Sequence, residues 1–451
     1  MHSSKRTFPI WLTLFLAAAL TLPGTTVVQG ANQDEPVKLV YFNARGAEAV
    51  EQALIERYME ENPNIEIEYL SATALGGPSD TDSIANLIFN IQAETTIDVA
   101  KVEVQRTPLE LMASGSNLEL SQFDAEAVQA RSDELLNTNT TEIKGGVWGL
   151  PYEYDPFGYI YNGDMYREAG LDPDNPPQTW DELRAANEAL LAQFPGAWPI
   201  CHPIKNLNKI QPFIWNAGGR YWNDTVPPTE SDVTNQGAID GYTFINEWAE
   251  NGWMNTEELT GDLPLQFMVS RQCAAINLSS YEVLRYAAND PDTDFRVAPF
   301  PVKDDSFESV NFAGGSALVI PSTSAHPEEA LAFMLWLTSE ETQRVKYGVD
   351  EGLEISLEDL YDQATPANRA ALEALADDPT WEQALATYDI PTLPAGGLSP
   401  VYSQSYEILA SMQERIVLTD ANVEEELQAA QQEVQLLIDA NMEAQPELYE
   451  E

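Results

Sequence analysis

Gly149-Leu150-Pro151-Tyr152-Glu153-Tyr154-Asp155-Pro156-Phe157-Gly158-Tyr159-Ile160-Tyr161-Asn162 is dense in aromatic residues, carries two carboxylates and holds no Lys or Arg. Tyr159-Ile160-Tyr161 reads as a short β-rich run. The part before it contains Pro151 and Pro156, which lack the N–H that a ladder needs, so a regular central strand is not expected there. Downstream, Gly170 is placed to stop a helix over Gly163–Ala169, and a proline-rich loop runs from Asp172 to Gln178. Thr179 then caps a second helix, with Glu182 three residues on in capping-box spacing.

Around this stretch, 451 residues exceed a single core and imply two or three domains. Residues 1–30 differ from the rest: Lys5 and Arg6, an apolar run from Ile10 to Leu22, and a small residue at Gly30 read as a secretory signal, too short to span a membrane. The mature chain is expected to be exported, periplasmic or extracellular. No lipobox Cys follows the apolar run, the first Cys being Cys201; association with the cell surface is expected, and how the chain is retained there stays open.

Loss of Lys5 and Arg6 with the signal takes the net charge from −51 to −53. Such a balance argues against nucleic acid, whose binding needs a basic surface. The acids are scattered and read as a solvated surface. Cys201 and Cys273 are the two cysteines; export makes a disulfide between them plausible, and two separate buried thiols are the alternative. With no CxxC and with His2, His202 and His326 in no metal spacing, no metal or other cofactor is expected. Gly145-Gly146 suits a tight turn, since no GxGxxG or phosphate-loop spacing exists.

The order of aromatic crossing, short helix, proline loop and capped helix resembles the carbohydrate-type extracellular solute-binding proteins of ABC importers, the maltose-binding-protein-like family. The resemblance continues in Phe213-Ile214-Trp215-Asn216-Ala217-Gly218-Gly219, in Gly314 to Ile320, in the helix opened by Pro327, and in Ser399-Pro400-Val401-Tyr402. It implies an α/β fold of two lobes with three interlobe crossings and a ligand cleft between the lobes. The implied division is 1–30 signal, 31–154 first lobe, 155–279 second lobe, 280–315 first lobe and 316–451 second lobe. It also implies a sugar ligand, the permease subunits of an ABC importer as partners, a monomer, and no catalysis. The ligand-facing positions it carries over are Asn43, Arg45 and Glu103 from the first lobe, Tyr154 and Asp155 on the first crossing, Trp215, Gly218 and Gly219, Tyr281 on a return crossing, Gly314 and Gly315 on the third crossing, and Tyr402. At the return crossing, Asn277 to Tyr281, the family's Gly and Trp are replaced by Ser and Tyr.

The residues suit this independently, because sugar hydroxyls need planar acceptors and donors, and C–H faces need flat aromatic platforms. Elsewhere, Val37 to Phe42 is a β-run. Val50, Leu54, Ile55, Tyr58 and Met59 form a helical face, and Ile65, Ile67 and Tyr69 alternate with Glu66 and Glu68. A helix from Thr81 to Ala93 and a strand from Ile97 to Val104 follow. Later come a helix from Val233 to Gly252, a hairpin at Phe267 to Ile276, a strand at Phe295 to Pro301 returning to the first lobe, and a second capping box at Thr338 and Glu341. Val423, Leu427, Ala430, Val434, Leu437 and Ile438 face one side of a last helix. The rival class is a secreted glycoside hydrolase, which would also be acidic and aromatic; no hydrolase motif stands in the chain. A sensor of the same fold, or a non-sugar solute such as a polyamine or glycerol phosphate, stays open.

Overall fold

The computed structural model describes residues 36–44, 48–71, 80–104, 107–259, 263–356, 359–360, 363–393 and 398–450. The signal segment and Arg45 lie outside the described residues. Strands β1 (Val37–Asn43), β2 (Ile65–Ser71) and β3 (Val99–Glu103) are parallel neighbours, with the helix Glu48–Glu61 between β1 and β2. Glu48 and Glu51 begin that helix, where its dipole favours anions, and Val50, Leu54, Ile55 and Tyr58 are buried. The helix Asp80–Gln92 leads to β3. β4 (Glu142–Ile143) and β5 (Gly146–Val147) form a small hairpin.

β6 (Leu150–Asn162) is a fully buried strand of 13 residues. It therefore runs through both prolines, which a regular strand would exclude. Two local features accommodate them. The register shifts between Pro151 and Glu153, a bulge in the pairing with β9 (Asn311–Val319). That pairing then ends at Pro156, and from Phe157 onward β6 pairs instead with β7 (Ala275–Ser279) and β8 (Phe295–Ala298). One proline sits at the bulge and the other at the hand-over between two sets of partners.

The two halves of β6 lie in separate cores. Leu150 and Tyr152 pack with Leu39, Leu54 and Phe333 in the first lobe. Tyr159 and Tyr161 pack with Trp180, Phe213 and Trp248 in the second. β9 makes the same crossing, with Phe312 in the second core and Leu318 in the first. The third connection leaves the helix Arg369–Leu375 and reaches β11 (Thr392–Leu393), which pairs with Asn311 and Phe312 of β9. β10 (Thr365–Pro366) closes the edge of β6 at Tyr154.

The packing departs from the division read from the sequence in two places. Residues 280–310 stay with the second lobe: β7 and β8 both flank Tyr159–Tyr161, and Ala298 and Phe300 pack beside Phe213. Asn277 to Tyr281 is therefore the end of β7 and the start of the helix Glu282–Asn289, not a crossing. Conversely, Ala330, Phe333, Met334 and Ala367 belong to the first core, and the chain returns to the second with the helices Tyr402–Leu418 and Val423–Ala444. The expected hairpin at Phe267 is a helix, Leu263–Val269, followed by β7. The cap after the helix Pro327–Leu337 is Ser339, accepting from Thr342 N, while the Thr338 hydroxyl bonds back to Met334 O. Thr179 and Glu182 form the expected capping box, and Gly170 takes φ +79° after the helix Gly163–Glu168. Cys201 and Cys273 are disulfide-bonded.

Candidate functional site

β1 and β3 are parallel, so their carboxyl ends emerge at one edge of the first-lobe sheet, the edge where β6 and β9 leave for the second lobe. In open α/β sheets that edge is where ligands bind. Asn43 ends β1 and its Nδ2 donates to Tyr69 Oη at 3.1 Å. Glu103 ends β3, is 8 % exposed, and pairs in register with Ser316 of β9.

Asp155 lies one residue before the hand-over on β6 and opposite Gly314 of β9. Its Oδ2 accepts from Ser279 Oγ at 2.7 Å, so it links the crossing to the end of β7. Tyr154 pairs with Gly315, whose φ of +116° and position against Glu153 O leave no room for a side chain. A Cβ there would sit 2.0 Å from that oxygen. The Tyr154 ring stands edge-on to Tyr388 of the third connection at 5.5 Å, and Thr365 Oγ1 contacts Tyr154 O and Tyr388 Oη, each at 2.5 Å. Burial raises the pKa of both tyrosines, which keeps them protonated hydrogen-bonding groups.

The second lobe contributes the helix Leu207–Trp215, capped by Asn206. Trp215 closes this helix and Gln211 stands four residues earlier on the same face. Both line a cavity of 160 Å³ together with Arg220, Tyr221, Trp222 and Leu398. Phe312 of β9 ties this wall to the crossings: its ring is 4.6 Å from Phe157 of β6 and 6.4 Å from Trp215. Tyr402 supports Trp222 edge-on at 6.2 Å and donates from its hydroxyl to Asn208 Oδ1.

The cavity borders the seam between the lobes. Leu398 packs against Leu109 and Ile143 of the first lobe. Close by, Glu110 accepts from Ser403 N at 2.8 Å and from Ser403 Oγ at 2.9 Å. A first-lobe carboxylate thus caps the helix Tyr402–Leu418, whose own cap residue Val401 offers no side-chain acceptor.

Of the positions read from the sequence, Asn43, Glu103, Tyr154, Asp155, Gly314 and Gly315 gather at the strand ends and crossings, Trp215 lines the cavity, and Tyr402 stands against Trp222 of its wall. Gly218 is exposed with φ +78°. Gly219 serves helix packing, since a Cβ on it would meet Ala238 N at 2.6 Å. Tyr281 precedes the helix Glu282–Asn289, is partly buried against a second-lobe apolar cluster and lies near Tyr347. Gln211, Trp222 and Glu110 were not anticipated. Gln211 was legible: the run at Phe213 to Gly219 begins as a helix, and a 3.6-residue period carries the face of Trp215 back to it.

The model of the bacterial extracellular solute-binding proteins matches residues 43–344. The chain belongs to that family. This solute-binding protein is 22% identical over 331 residues to the maltooligosaccharide ABC transporter solute-binding lipoprotein of Streptococcus pneumoniae, which covers 70% of this chain and 72% of that one. It superposes with a TM-score of 0.75 on an ABC substrate-binding protein of Listeria monocytogenes in complex with cycloalternan, at 14% identity over 90% of this chain and 100% of that one. UgpB of Mycobacterium tuberculosis in complex with glycerophosphocholine gives a TM-score of 0.73 at 19% identity, over 90% of this chain and 99% of that one. At these identities the structural likeness establishes the fold: the solute-binding protein has two lobes, three crossings and a cleft between them. Among its described residues, no helix is long and apolar enough to cross a membrane, and no group of three His, Cys, Asp or Glu is arranged to hold a metal.

Proposed function

We propose that this protein captures a sugar or oligosaccharide between its lobes and delivers it to the permease of an ABC importer, acting outside the membrane as a monomer and catalysing no reaction. The observation that carries the reading is the pairing of two kinds of surface at one seam. Planar carboxylate and amide groups, Asn43, Glu103 and Asp155, stand at the strand ends. Aromatic rings, Trp215 and Trp222, line the second-lobe cavity, which Phe312 ties to the crossings. Hydroxyl-rich, C–H-faced ligands need both. The relative named for maltooligosaccharides and the neighbour complexed with cycloalternan support the same class. Arg45 is proposed to join Asn43 and Glu103 in the first-lobe contacts.

A thermal-shift screen of neutral mono- and oligosaccharides, with a glycerophosphodiester and a polyamine alongside, tests this. A saccharide at a hundred times its Kd stabilises the folded state by about 2.7 kcal/mol. Small-angle scattering on the same complex should show a smaller radius of gyration, because ligand closes the lobes about the crossings. Stabilisation by the phosphodiester or polyamine alone would replace the sugar by that solute. Binding with no contraction would remove delivery by lobe closure.

A further inference from the structure

Polar contacts join the lobes away from the strands that cross between them. Glu110, on the first-lobe helix Thr107–Ala113, is 7 % exposed and accepts from Ser403 N and Ser403 Oγ at the start of the second-lobe helix Tyr402–Leu418. Lys144, at the turn of the first-lobe hairpin β4–β5, donates to Leu448 O at 2.8 Å and to Glu450 O. Those carbonyls lie on and just after the short helix Pro446–Tyr449. Tyr449 Oη donates to Asn441 Oδ1 at 2.7 Å, which ties that segment to the helix Val423–Ala444, and Leu427, Val434 and Ile438 seat the longer helix in the second core. The signs suit the partners. An anion meets N–H groups at a helix start, where the dipole favours it, and a cation meets carbonyl oxygens. Leu398 packs on Leu109 and Ile143, the sequence neighbours of Glu110 and Lys144.

We propose that these contacts are a noncovalent clasp that sets the angle between the lobes, with Glu110 as its positioning residue and the closed arrangement as the one it favours. The helix Tyr402–Leu418 cannot cap itself, because Val401 at its cap position has no side-chain acceptor, and its first turn is completed from the opposite lobe. Separation of the lobes returns Ser403 N and the Glu110 carboxylate to water and forfeits that cap. The turn that Glu110 grips also carries Tyr402, which stands edge-on to Trp222 at 6.2 Å and donates to Asn208 Oδ1. Lobe angle and cavity wall are thereby linked through one turn of helix. In the same arrangement Asn43, Glu103 and Asp155 are 3, 8 and 7 % exposed, so the clasp goes with a covered strand edge and not an open one. A contact made on closing and lost on opening raises the closed fraction, and apparent affinity scales with the fraction that is competent to bind. The clasp requires the two-lobed fold and no particular solute.

The test pairs small-angle scattering of the ligand-free full chain with calorimetry on maltotriose. Glu110→Ala should enlarge the radius of gyration and weaken maltotriose about fivefold, the factor equivalent to a helix cap of about 1 kcal/mol. Glu119→Ala is the control. This carboxylate also caps, accepting from Ser121 N and Gln122 N, but inside the first lobe. Its loss should lower the melting temperature and leave radius and affinity unchanged, which is how a merely structural Glu110 would behave. Lys144→Met, at an exposed position, should move both readouts in the same direction by a smaller factor, and it decides the matter if Glu110→Ala does not fold. Radius and affinity at wild-type values in the folded variants would overturn the clasp. A smaller radius or tighter binding would overturn its assignment to the closed arrangement. If maltotriose does not bind the wild type, the sugar reading loses support and scattering alone decides the clasp.

Discussion

Lys346 Nζ lies 2.8 Å from Glu153 Oε1, with the lysine wholly buried and the glutamate nearly so. The pair belongs to a buried quartet. Lys101 Nζ bridges Glu153 at 2.9 Å and Glu51 at 3.0 Å, and Glu51 Oε2 accepts from Tyr41 Oη at 2.9 Å. Two ammonium groups and two carboxylates sum to zero, which is how a chain this acidic keeps charge inside its first lobe. Burial alone would raise the pKa of Glu153; Lys101 and Lys346 outweigh it and hold the carboxyl well below the usual range. Its contribution to stability is therefore fully present above the ordinary carboxylate range and falls away progressively as pH drops through that range and below it, since the unfolded chain takes up the proton first. Removing one partner of such a cluster costs about 3–5 kcal/mol. Lys346→Met is expected to lose that much in urea unfolding, and adding Glu153→Gln should recover more than half. Single variants within about 1 kcal/mol of wild type would contradict this account.

Gly315→Ala is expected to be severe. The added methyl meets Glu153 O at 2.0 Å, and φ +116° is a conformation that side chains rarely adopt. Backbone must move at the crossing strands, so a loss of more than about 3 kcal/mol or insoluble expression should follow. Gly252→Ala is the control: its φ is +68°, but no atom lies within 4 Å of where the new methyl would stand. Equal losses in the two variants would assign the cost to φ alone.

His202 gives the protein an acid sensitivity. Burial, with Lys209 adding to it, pushes this imidazole down to about 3. Its folded pKa lies below its unfolded value of about 6.5, so the unfolded chain binds more protons between those limits. The neutral ring's contribution is fully present above about pH 6.5 and falls away as pH drops towards 3. From about pH 7 to 4 the loss should be roughly 3 kcal/mol. His202→Phe, followed by urea unfolding at several pH values, should show a shallower decline than wild type. Parallel declines would place the sensitivity elsewhere.

The Cys201–Cys273 bond closes a loop of 72 residues within the second lobe. Reduction, or replacement of both cysteines by Ala, should cost about 2–4 kcal/mol by releasing the unfolded chain. Titration of two free thiols in denatured, unreduced protein would show that the bond does not form.

Asp155→Ala should weaken saccharide binding about ten- to a hundredfold, the cost of losing a charged hydrogen-bond acceptor of roughly 1.5–3 kcal/mol. Trp215→Ala should lose a similar factor through its lost ring face. Calorimetry on folded variants checks both. Wild-type affinity in each would mean that Asp155 and Trp215 serve the fold and not the ligand.

What was legible in the chain was local. Thr179 with Glu182, Gly170 after its helix, and Pro327 opening another are short-range signals, and each stands where its chemistry requires. The misreadings concern pairings between distant segments. Nothing in Asn277 to Tyr281 says that β7 and β8 both flank Tyr159–Tyr161, because that follows from which edges of β6 remain open after β9 has paired. Lys101 looks like a filler position between Asp98 and Glu103; its importance depends on Glu51 and Glu153, two partners on other elements, the second of which it shares with Lys346. Gln211 is the intermediate case, readable from helical spacing but meaningful only once the cavity is seen.

The sheet order carries a consequence for how the polypeptide must be made. β9 separates β3 from β6 and pairs with both, yet it begins only at Asn311. A nascent chain emerging amino end first holds β1, β2, β3 and the first half of β6 long before it holds the strand that joins them. Until residues 311–319 are out, the β3-β1-β2 part of the sheet and β6 have no strand to join them. The threading order thus ties completion of the amino-terminal sheet to a strand made more than two hundred residues after β3.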